Sequence, residues 1–139
     1  MSTPAATANS ILDLLYRTVT FATMAINATA SPATTLDIAL HTAAPVTASQ
    51  TSNEANYGAY ARVAVARTTG GWNAAASGST ANTALIQFIE CTSGSNTITH
   101  VSIGFGGTIL AYGSLSASRS VSSGIQPQFG IASLVSSLT

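Results

Sequence analysis

The sequence predicts a mainly β fold, an antiparallel β-sandwich or jelly-roll-like domain with one N-terminal α-helix. Hydrophobic and polar residues alternate in several short segments, which is the pattern of half-buried strands. Turn residues separate these segments at a spacing of about 8–12 residues, as in sandwiches. A helical period is confined to the N-terminal part. A length of 139 residues suits one domain, and we expect an arm over residues 1–10 and a single domain over residues 11–139.

The N-terminal element is a predicted helix over about residues 10–24. Ile11, Leu14 and Leu15 begin a run of apolar residues at roughly helical spacing. Ser10 and Asp13 have the spacing of a capping box, which would start the helix at Ser10. The residues before it are small and polar and are therefore assigned to the arm.

Strands are predicted from Leu36 onward. The first covers Leu36–His41, where apolar and polar residues alternate, and it ends before Pro45. A long polar loop follows over residues 46–59, and loops of this length are usually functional or mobile. The alternation returns over residues 60–67, which predicts the second strand.

The remaining strands follow at similar intervals. Residues 84–90 are apolar on both faces, which suits a central strand, and Thr97–Phe105 alternates. The pair Gly106-Gly107 is a hairpin signal that leads into a strand over Ile109–Leu115. Further strands are predicted around residues 125–129 and 131–138.

Charge is scarce in this chain. Only 6% of its residues are charged, against about a quarter in an ordinary domain, and there is no lysine. Nineteen Ser and twenty Thr provide the polarity instead. Because the formal net charge is zero, little repulsion opposes packing against other proteins. We therefore expect a protein that is built into an assembly.

Several functional classes are disfavoured. The four arginines are scattered and form no basic patch for nucleic acid. The apolar stretch of residues 11–26 is too short and too polar to span a bilayer. The acidic residues fall in different predicted elements: Asp13, Asp37, Glu54 and Glu90. One cysteine, Cys91, cannot form an intrachain disulfide, and the two histidines have no metal-ligand spacing. We expect no enzymatic activity, metal or cofactor.

Six residues are candidates for contact with other proteins: Arg17, Glu54, Tyr57, Tyr60, Arg62 and Trp72. The three aromatic residues among them are also the candidates for a carbohydrate receptor site, and each suits a core position equally well. The N-terminal arm and the loop of residues 46–59 are the segments expected to reach neighbouring proteins.

An ordered series of motifs resembles small bacteriophage virion proteins that are usually labelled tail fibre proteins. Leu36–Pro45 matches an aliphatic-His-Thr-Ala-x-Pro segment. The later matching pieces are Asn53-Glu54, Tyr60–Val65, Ala81–Ala84, Thr97–Ile103, Gly107–Leu115 and Arg119–Gly124. The series covers nearly the whole chain. It departs from the family pattern at Asn56–Ala59, which lacks a glycine pair, and at Gly104-Phe105-Gly106, which lacks an acid.

The resemblance implies a compact β protein mounted on a virion and assembled in the host cytoplasm. The first hypothesis is a capsid cement or decoration protein that binds and stabilises the outer surface of the major capsid shell. The alternative is a small tail fibre or tail-tip component that contacts the host receptor. Either protein would bind other virion proteins and form a homo-oligomer, with a trimer favoured.

Overall fold

The computed structural model describes residues 3–21 and 32–138. Its mainly β fold, with antiparallel pairing and a helix near the N-terminus, confirms the predicted fold class. The elements of the described residues are α1 (Ala5–Arg17), β1 (Thr35–His41), β2 (Val63–Ala66), β3 (Ser79–Ala81), β4 (Ile86–Gln87), β5 (Ser95–Phe105), β6 (Thr108–Ser122), β7 (Gln128–Phe129) and β8 (Val135–Ser137).

The chain forms two compact units. Unit 1 combines the described parts of Met1–Thr35, Ala66–Ile86 and Phe129–Thr139, and unit 2 combines Leu36–Val65 with Gln87–Gln128. The prediction of one domain over residues 11–139 stays a prediction.

Helix α1 anchors unit 1 through a stripe of buried residues at four-residue spacing, Ala8, Leu12 and Tyr16. The Tyr16 ring packs edge-to-face on Trp72, with the ring centroids 4.7 Å apart. On the same helix, the Asp13 carboxylate accepts a hydrogen bond of 2.9 Å from the Ala75 backbone N–H. Apolar burial and this polar contact together hold the helix against the segment around Trp72.

The predicted start of the helix near Ser10 is wrong, and the arm over residues 1–10 that reaches neighbouring proteins stays a prediction. The helix begins at Ala5, so residues 5–10 are helical, because three of these six residues are alanine, the strongest helix former. The predicted capping box is also wrong, since Ser10 lies inside the helix and its hydroxyl donates to the Ala6 carbonyl. The helix ends at Arg17, where Thr18 adopts the left-handed conformation. The rest of the predicted helix includes residues 22–24, which lie outside the described residues.

Strands β3 and β8 pair antiparallel in unit 1. Beside them, the fully buried side chain of Asn82 satisfies three backbone groups: it donates to the Ala84 and Gly130 carbonyls and accepts from the Leu134 N–H, at 2.7–2.9 Å. A buried amide with such complete pairing fixes the surrounding turns without an unsatisfied polar group.

Unit 2 is built on a four-stranded sheet in the order β2-β1-β5-β6. Ile38 lies opposite Ile103 and Leu40 opposite Val101. Because directly opposite residues share a face, these four side chains form one apolar face of the sheet. The predicted strands over Leu36–His41 and Thr97–Phe105 and the hairpin at Gly106-Gly107 are confirmed.

Other predicted strands differ in length. β6 is longer than predicted and continues through the Ser-rich segment to Ser122. The apolar run of residues 84–90 has only two residues in β4, which pairs with β7. Just after β4, the Phe88 N–H donates a hydrogen bond to the Pro127 carbonyl. Pro127 has no backbone N–H and cannot donate a hydrogen bond to Phe88 in turn. The pairing between β4 and β7 is therefore short.

Candidate interaction surface

Three of the predicted contact residues meet at one cluster. Arg62 makes a two-point ion pair with Glu54: Nε lies 2.7 Å from Oε1 and Nη2 lies 2.8 Å from Oε2. The Tyr60 hydroxyl donates to the same Glu54 Oε1 at 3.1 Å and accepts from the Leu40 N–H at 3.0 Å. Glu54 therefore links the long loop to Tyr60 and Arg62, and Tyr60 links this cluster to β1.

A hydrogen bond sets the pKa shift of Arg62 in this cluster, and burial sets that of Tyr60. Hydrogen bonding to Glu54 raises the pKa of Arg62, so the guanidinium keeps its charge. Burial raises the pKa of Tyr60, so its hydroxyl stays protonated and available as a donor. Arg62 therefore stays charged and Tyr60 stays protonated at any physiological pH.

A second polar network lies under the loop of residues 46–59. The His41 ring is fully buried, with Nδ1 2.9 Å from the Ser52 carbonyl and Nε2 2.7 Å from Ser102 Oγ. Because a carbonyl can only accept, Nδ1 carries the proton and the Ser102 hydroxyl donates to Nε2. Burial lowers the pKa of His41 and favours this neutral ring.

Gln50 joins the two networks and is itself fully buried. Its Nε2 donates to the Asp37 carbonyl at 2.8 Å and to Ser102 Oγ at 3.3 Å, while its Oε1 accepts from Arg62 Nη1 at 3.3 Å. The side chain has this space because residue 104 is glycine: a Cβ there would lie 2.5 Å from the Gln50 side chain. A large polar side chain is thereby accommodated on the sheet.

The loop also binds both neighbouring strands through its backbone. The Ala55 N–H donates to the Leu40 carbonyl in β1, and the Ile109 N–H in β6 donates to the Ala48 carbonyl, both at 2.8 Å. Ser49 forms an isolated bridge with Thr108. The loop is therefore fixed onto the sheet, and its exposed parts, such as Val46 at 83% exposure, are presented from a defined position.

The other three predicted contact residues lie elsewhere. The Tyr57 ring is buried, its hydroxyl donates to the Ile89 carbonyl at 3.1 Å, and burial raises its pKa to about 12. Trp72 is fully buried against Tyr16. Arg17 pairs with Asp13 one helical turn away, at 3.0 Å. Neither Tyr57 nor Trp72 exposes a ring to a partner, so both serve the interior.

The sequence reasoning did not find the outer edge of β6, along which most residues are exposed. Sheet order places β6 at an edge, and no described strand pairs with it there beyond the bridge at Thr108. Leu110 and Tyr112 are 44% and 57% exposed on this strand. From Leu110 to Ser122 the sequence contains one charged residue, Arg119. This free edge, Leu110–Ser122, is the candidate interaction surface.

No described helix is long and apolar enough to cross a membrane. Within residues 3–21 and 32–138, no three His, Cys, Asp or Glu side chains come together as metal ligands.

A family model described as podophage GP4 fiber I protein gp80 matches residues 2–137. The chain belongs to this family. The resemblance to phage tail fibre proteins is thereby confirmed, and the chain is a virion structural protein of fibre type, in a family that is not an enzyme family. A search of curated proteins finds no match.

The polar clusters use several of the motifs that carry this resemblance. His41, Asn53-Glu54 and the segment from Tyr60 to Arg62 belong to three separate motifs, and they meet around the loop of residues 46–59. Asn82, in a fourth motif, is the fully paired amide of unit 1. In this fibre protein those motifs stabilise the fold.

Proposed function

We propose that this chain is a subunit of a fibre on the phage tail and that it contacts neighbouring virion proteins through weakly charged surface. The family match over residues 2–137 is the observation that carries the proposal. The free edge of β6, with its exposed Leu110 and Tyr112, supports it.

The low charge of the surface is the physical basis for assembly. Natural proteins commonly protect edge strands with lysine, proline or other charges. From Leu110 to Ser122 this chain has neither lysine nor proline. Two of its four acidic residues, Asp13 and Glu54, are already paired with arginine inside the units. Little charge remains to keep neighbouring subunits apart.

A cement or decoration protein on the major capsid shell remains the second candidate. The same uncharged Ser- and Thr-rich composition suits packing over a capsid surface. Contact with a host receptor is part of the fibre candidate. Because Tyr57 and Trp72 are buried, a receptor site would have to use residues that are exposed instead. The number of subunits per assembly stays a prediction, with three favoured by the resemblance.

Copy number and position on purified particles distinguish the two candidates. We expect gel densitometry, with the major capsid protein as the internal standard, to give a handful of copies per particle. We expect gold-labelled antibodies against this chain to bind at the tail. Hundreds of copies, or labelling over the whole head, would replace the fibre proposal with the cement proposal.

The predicted N-terminal arm needs a narrower test than deletion of residues 1–10. That deletion would remove half of α1, including the buried Ala8, and the Asn9 side chain that accepts a hydrogen bond from the Gly78 N–H. Deletion of residues 1–3 stops before the helix. If these residues contact a neighbour, the shorter deletion lowers incorporation into particles while thermal unfolding of the purified chain is unchanged. Unchanged incorporation would mean that they contact nothing essential.

A further inference from the structure

The buried network of His41, Gln50 and Ser102 contains the groups of an acyl-transfer reaction. Ser102 Oγ lies 2.7 Å from His41 Nε2, and the other ring nitrogen, Nδ1, lies 2.9 Å from the Ser52 carbonyl oxygen. The hydroxyl therefore faces the unprotonated nitrogen of a ring that a third group orients. A hydroxyl and a base in this arrangement are typical of an activated serine nucleophile.

The side-chain amide of Gln50 is the electrophile that lies beside this serine. Its Nε2 is 3.3 Å from Ser102 Oγ. Because Nε2 is bonded to the carbonyl carbon, Cδ, at about 1.33 Å, the hydroxyl oxygen lies within about 5 Å of that carbon. Attack on a carbonyl carbon requires an approach to about 3–3.5 Å. A small shift of either side chain provides this approach.

Arg62 polarises this amide at its oxygen. The Arg62 Nη1 donates to Gln50 Oε1 at 3.3 Å, and the ion pair with Glu54 holds the guanidinium in place. A fixed positive charge beside the oxygen stabilises the negative charge that develops there when a nucleophile adds to the carbon. His41, Gln50 and Ser102 are fully buried, so bulk water does not compete with the hydroxyl as the nucleophile.

We propose that Ser102 and Gln50 form an ester bond within the folded chain. Ser102 Oγ bonds to Gln50 Cδ while His41 Nε2 takes the hydroxyl proton, and the amide oxygen carries the resulting negative charge beside Arg62. The carbonyl then re-forms, and the Cδ–Nε2 bond breaks with its electron pair on the nitrogen. His41 returns the proton to that nitrogen, which leaves as ammonia. The serine and the amide are the reactants, and the ester and ammonia are the products.

The ester ties the loop of residues 46–59 to β5 through two residues that are 52 positions apart. Such a link restricts the unfolded chain in the same way as a disulfide. The chain has one cysteine and no lysine, so neither an intrachain disulfide nor an amide bond to lysine is available to it. Loss of ammonia to the solvent draws the reaction forward, and burial protects the ester from hydrolysis. The reaction takes place within one chain and does not depend on where the protein sits on the virion.

Intact mass spectrometry of the purified full-length chain tests for the ester. We expect the wild type to be lighter than its sequence requires by the mass of one ammonia molecule. Ser102→Ala lacks the nucleophile and should have the full mass of its sequence. The matched control, Ser95→Ala, removes an exposed hydroxyl from the same strand and should show the same loss of ammonia as the wild type. Loss of ammonia from Ser102→Ala, or full mass in the folded wild type after prolonged incubation, would overturn the proposal.

Tryptic digestion in urea locates the bond. Cleavage after arginine places Gln50 and Ser102 in different peptides, residues 18–62 and 68–119, and the ester should join them into one species. Mild alkali should separate the two peptides and leave glutamate where Gln50 stood, because hydroxide hydrolyses an ester to the acid. Separate peptides with Gln50 intact in the untreated wild type, or a bond at another serine or threonine, would refute the proposal. Because the wild type alone decides this result, it holds even if Ser102→Ala fails to fold, which circular dichroism would show.

Discussion

The Arg62 guanidinium and the Glu54 carboxylate form a two-point ion pair at 2.7 and 2.8 Å. Their side chains are 25% and 17% exposed, so water screens this pair less than one on an open surface. Because Glu54 lies in the loop of residues 46–59 and Arg62 lies just before β2, the pair closes that loop onto the sheet.

Substitution of Glu54 by Gln should therefore destabilise the protein. The variant keeps the shape of the side chain but leaves the Arg62 guanidinium without its charged partner, and we expect the free energy of unfolding to fall by about 1.5–3 kcal/mol. Urea denaturation measures the change. Glu90→Gln is the matched control, since Glu90 is exposed and its substitution should change stability by less than about 0.5 kcal/mol. Equal losses of stability in the two variants would mean that the ion pair between Glu54 and Arg62 does not stabilise the fold.

Arg62→Lys separates charge from geometry at the same site. Lysine keeps the positive charge but cannot make the parallel contacts of a guanidinium. We expect a loss of about 1 kcal/mol relative to the wild type, measured in the same urea titration. Full retention of stability would show that a point charge beside Glu54 is sufficient.

Stability should fall in mild acid because of His41. Burial lowers the pKa of His41 below its ordinary 6.5, so the unfolded chain binds a proton more readily than the folded chain. As the pH drops below 6.5 the unfolded state gains protons first, and the free energy of unfolding decreases until the pH passes the lowered folded pKa. Glu54, Arg62 and His100 also act on this ring, with smaller effects than burial.

The measurement is the urea midpoint at several pH values from 7 downward. His41→Gln should be less stable at neutral pH and should lose most of the dependence on pH in this range. Full retention of the wild-type slope in His41→Gln would contradict the assignment of this pH dependence to His41.

Local patterns in the sequence were sufficient for β1, for β5 and for the turn that follows β5. Alternation identified Leu36–His41 and Thr97–Phe105, and the pair Gly106-Gly107 identified the hairpin between β5 and β6. The start of α1 was missed because Ala5–Ser10 was judged by its small size rather than by the helix propensity of alanine. The length of β4 was overestimated because an apolar segment can be buried without pairing as a strand along its whole length. Pro127 further limits the hydrogen bonds that this segment can make.

The candidate site could be predicted only in part. Polar residues such as Glu54 and Arg62 were identifiable as unusual in a chain with so little charge, but their pairing with each other depends on the path of the loop. The sequence was equally compatible with Tyr57 and Trp72 at the surface or in the core. Their burial depends on tertiary packing, which places both in the core. The free edge of β6 depends on strand order, which short-range patterns do not contain.

Two glycines of the sheet should respond oppositely to alanine. A Cβ at Gly104 would lie 2.5 Å from both the Gln50 side chain and the Thr108 carbonyl oxygen, so Gly104→Ala should cost about 1–3 kcal/mol through overpacking. Gly113 has no positive φ and no atom near the added Cβ. Gly113→Ala should be neutral or slightly stabilising, because it restricts the unfolded chain. Thermal unfolding of both variants tests the contrast, and equal destabilisation would contradict the packing of Gln50 over Gly104.

The core of unit 1 contains Trp72, the single tryptophan of the chain, whose fluorescence reports on its surroundings. Tyr16 packs edge-to-face on Trp72 and shares a 2.8 Å hydrogen bond with the buried Ser136 hydroxyl. Tyr16→Phe keeps the ring contact and removes the hydrogen bond, so we expect a loss of about 1 kcal/mol with little change in the Trp72 emission maximum. Tyr16→Ala removes both and should cost about 3–5 kcal/mol.

A double-mutant cycle isolates the hydrogen bond itself. Ser136→Ala should cost about as much as Tyr16→Phe, while the double variant should cost less than the sum because neither side chain is then left without its partner. Urea unfolding followed by Trp72 fluorescence gives all three values. Strictly additive losses would show that the two hydroxyl groups do not stabilise each other and that Tyr16 acts through its ring on Trp72 alone.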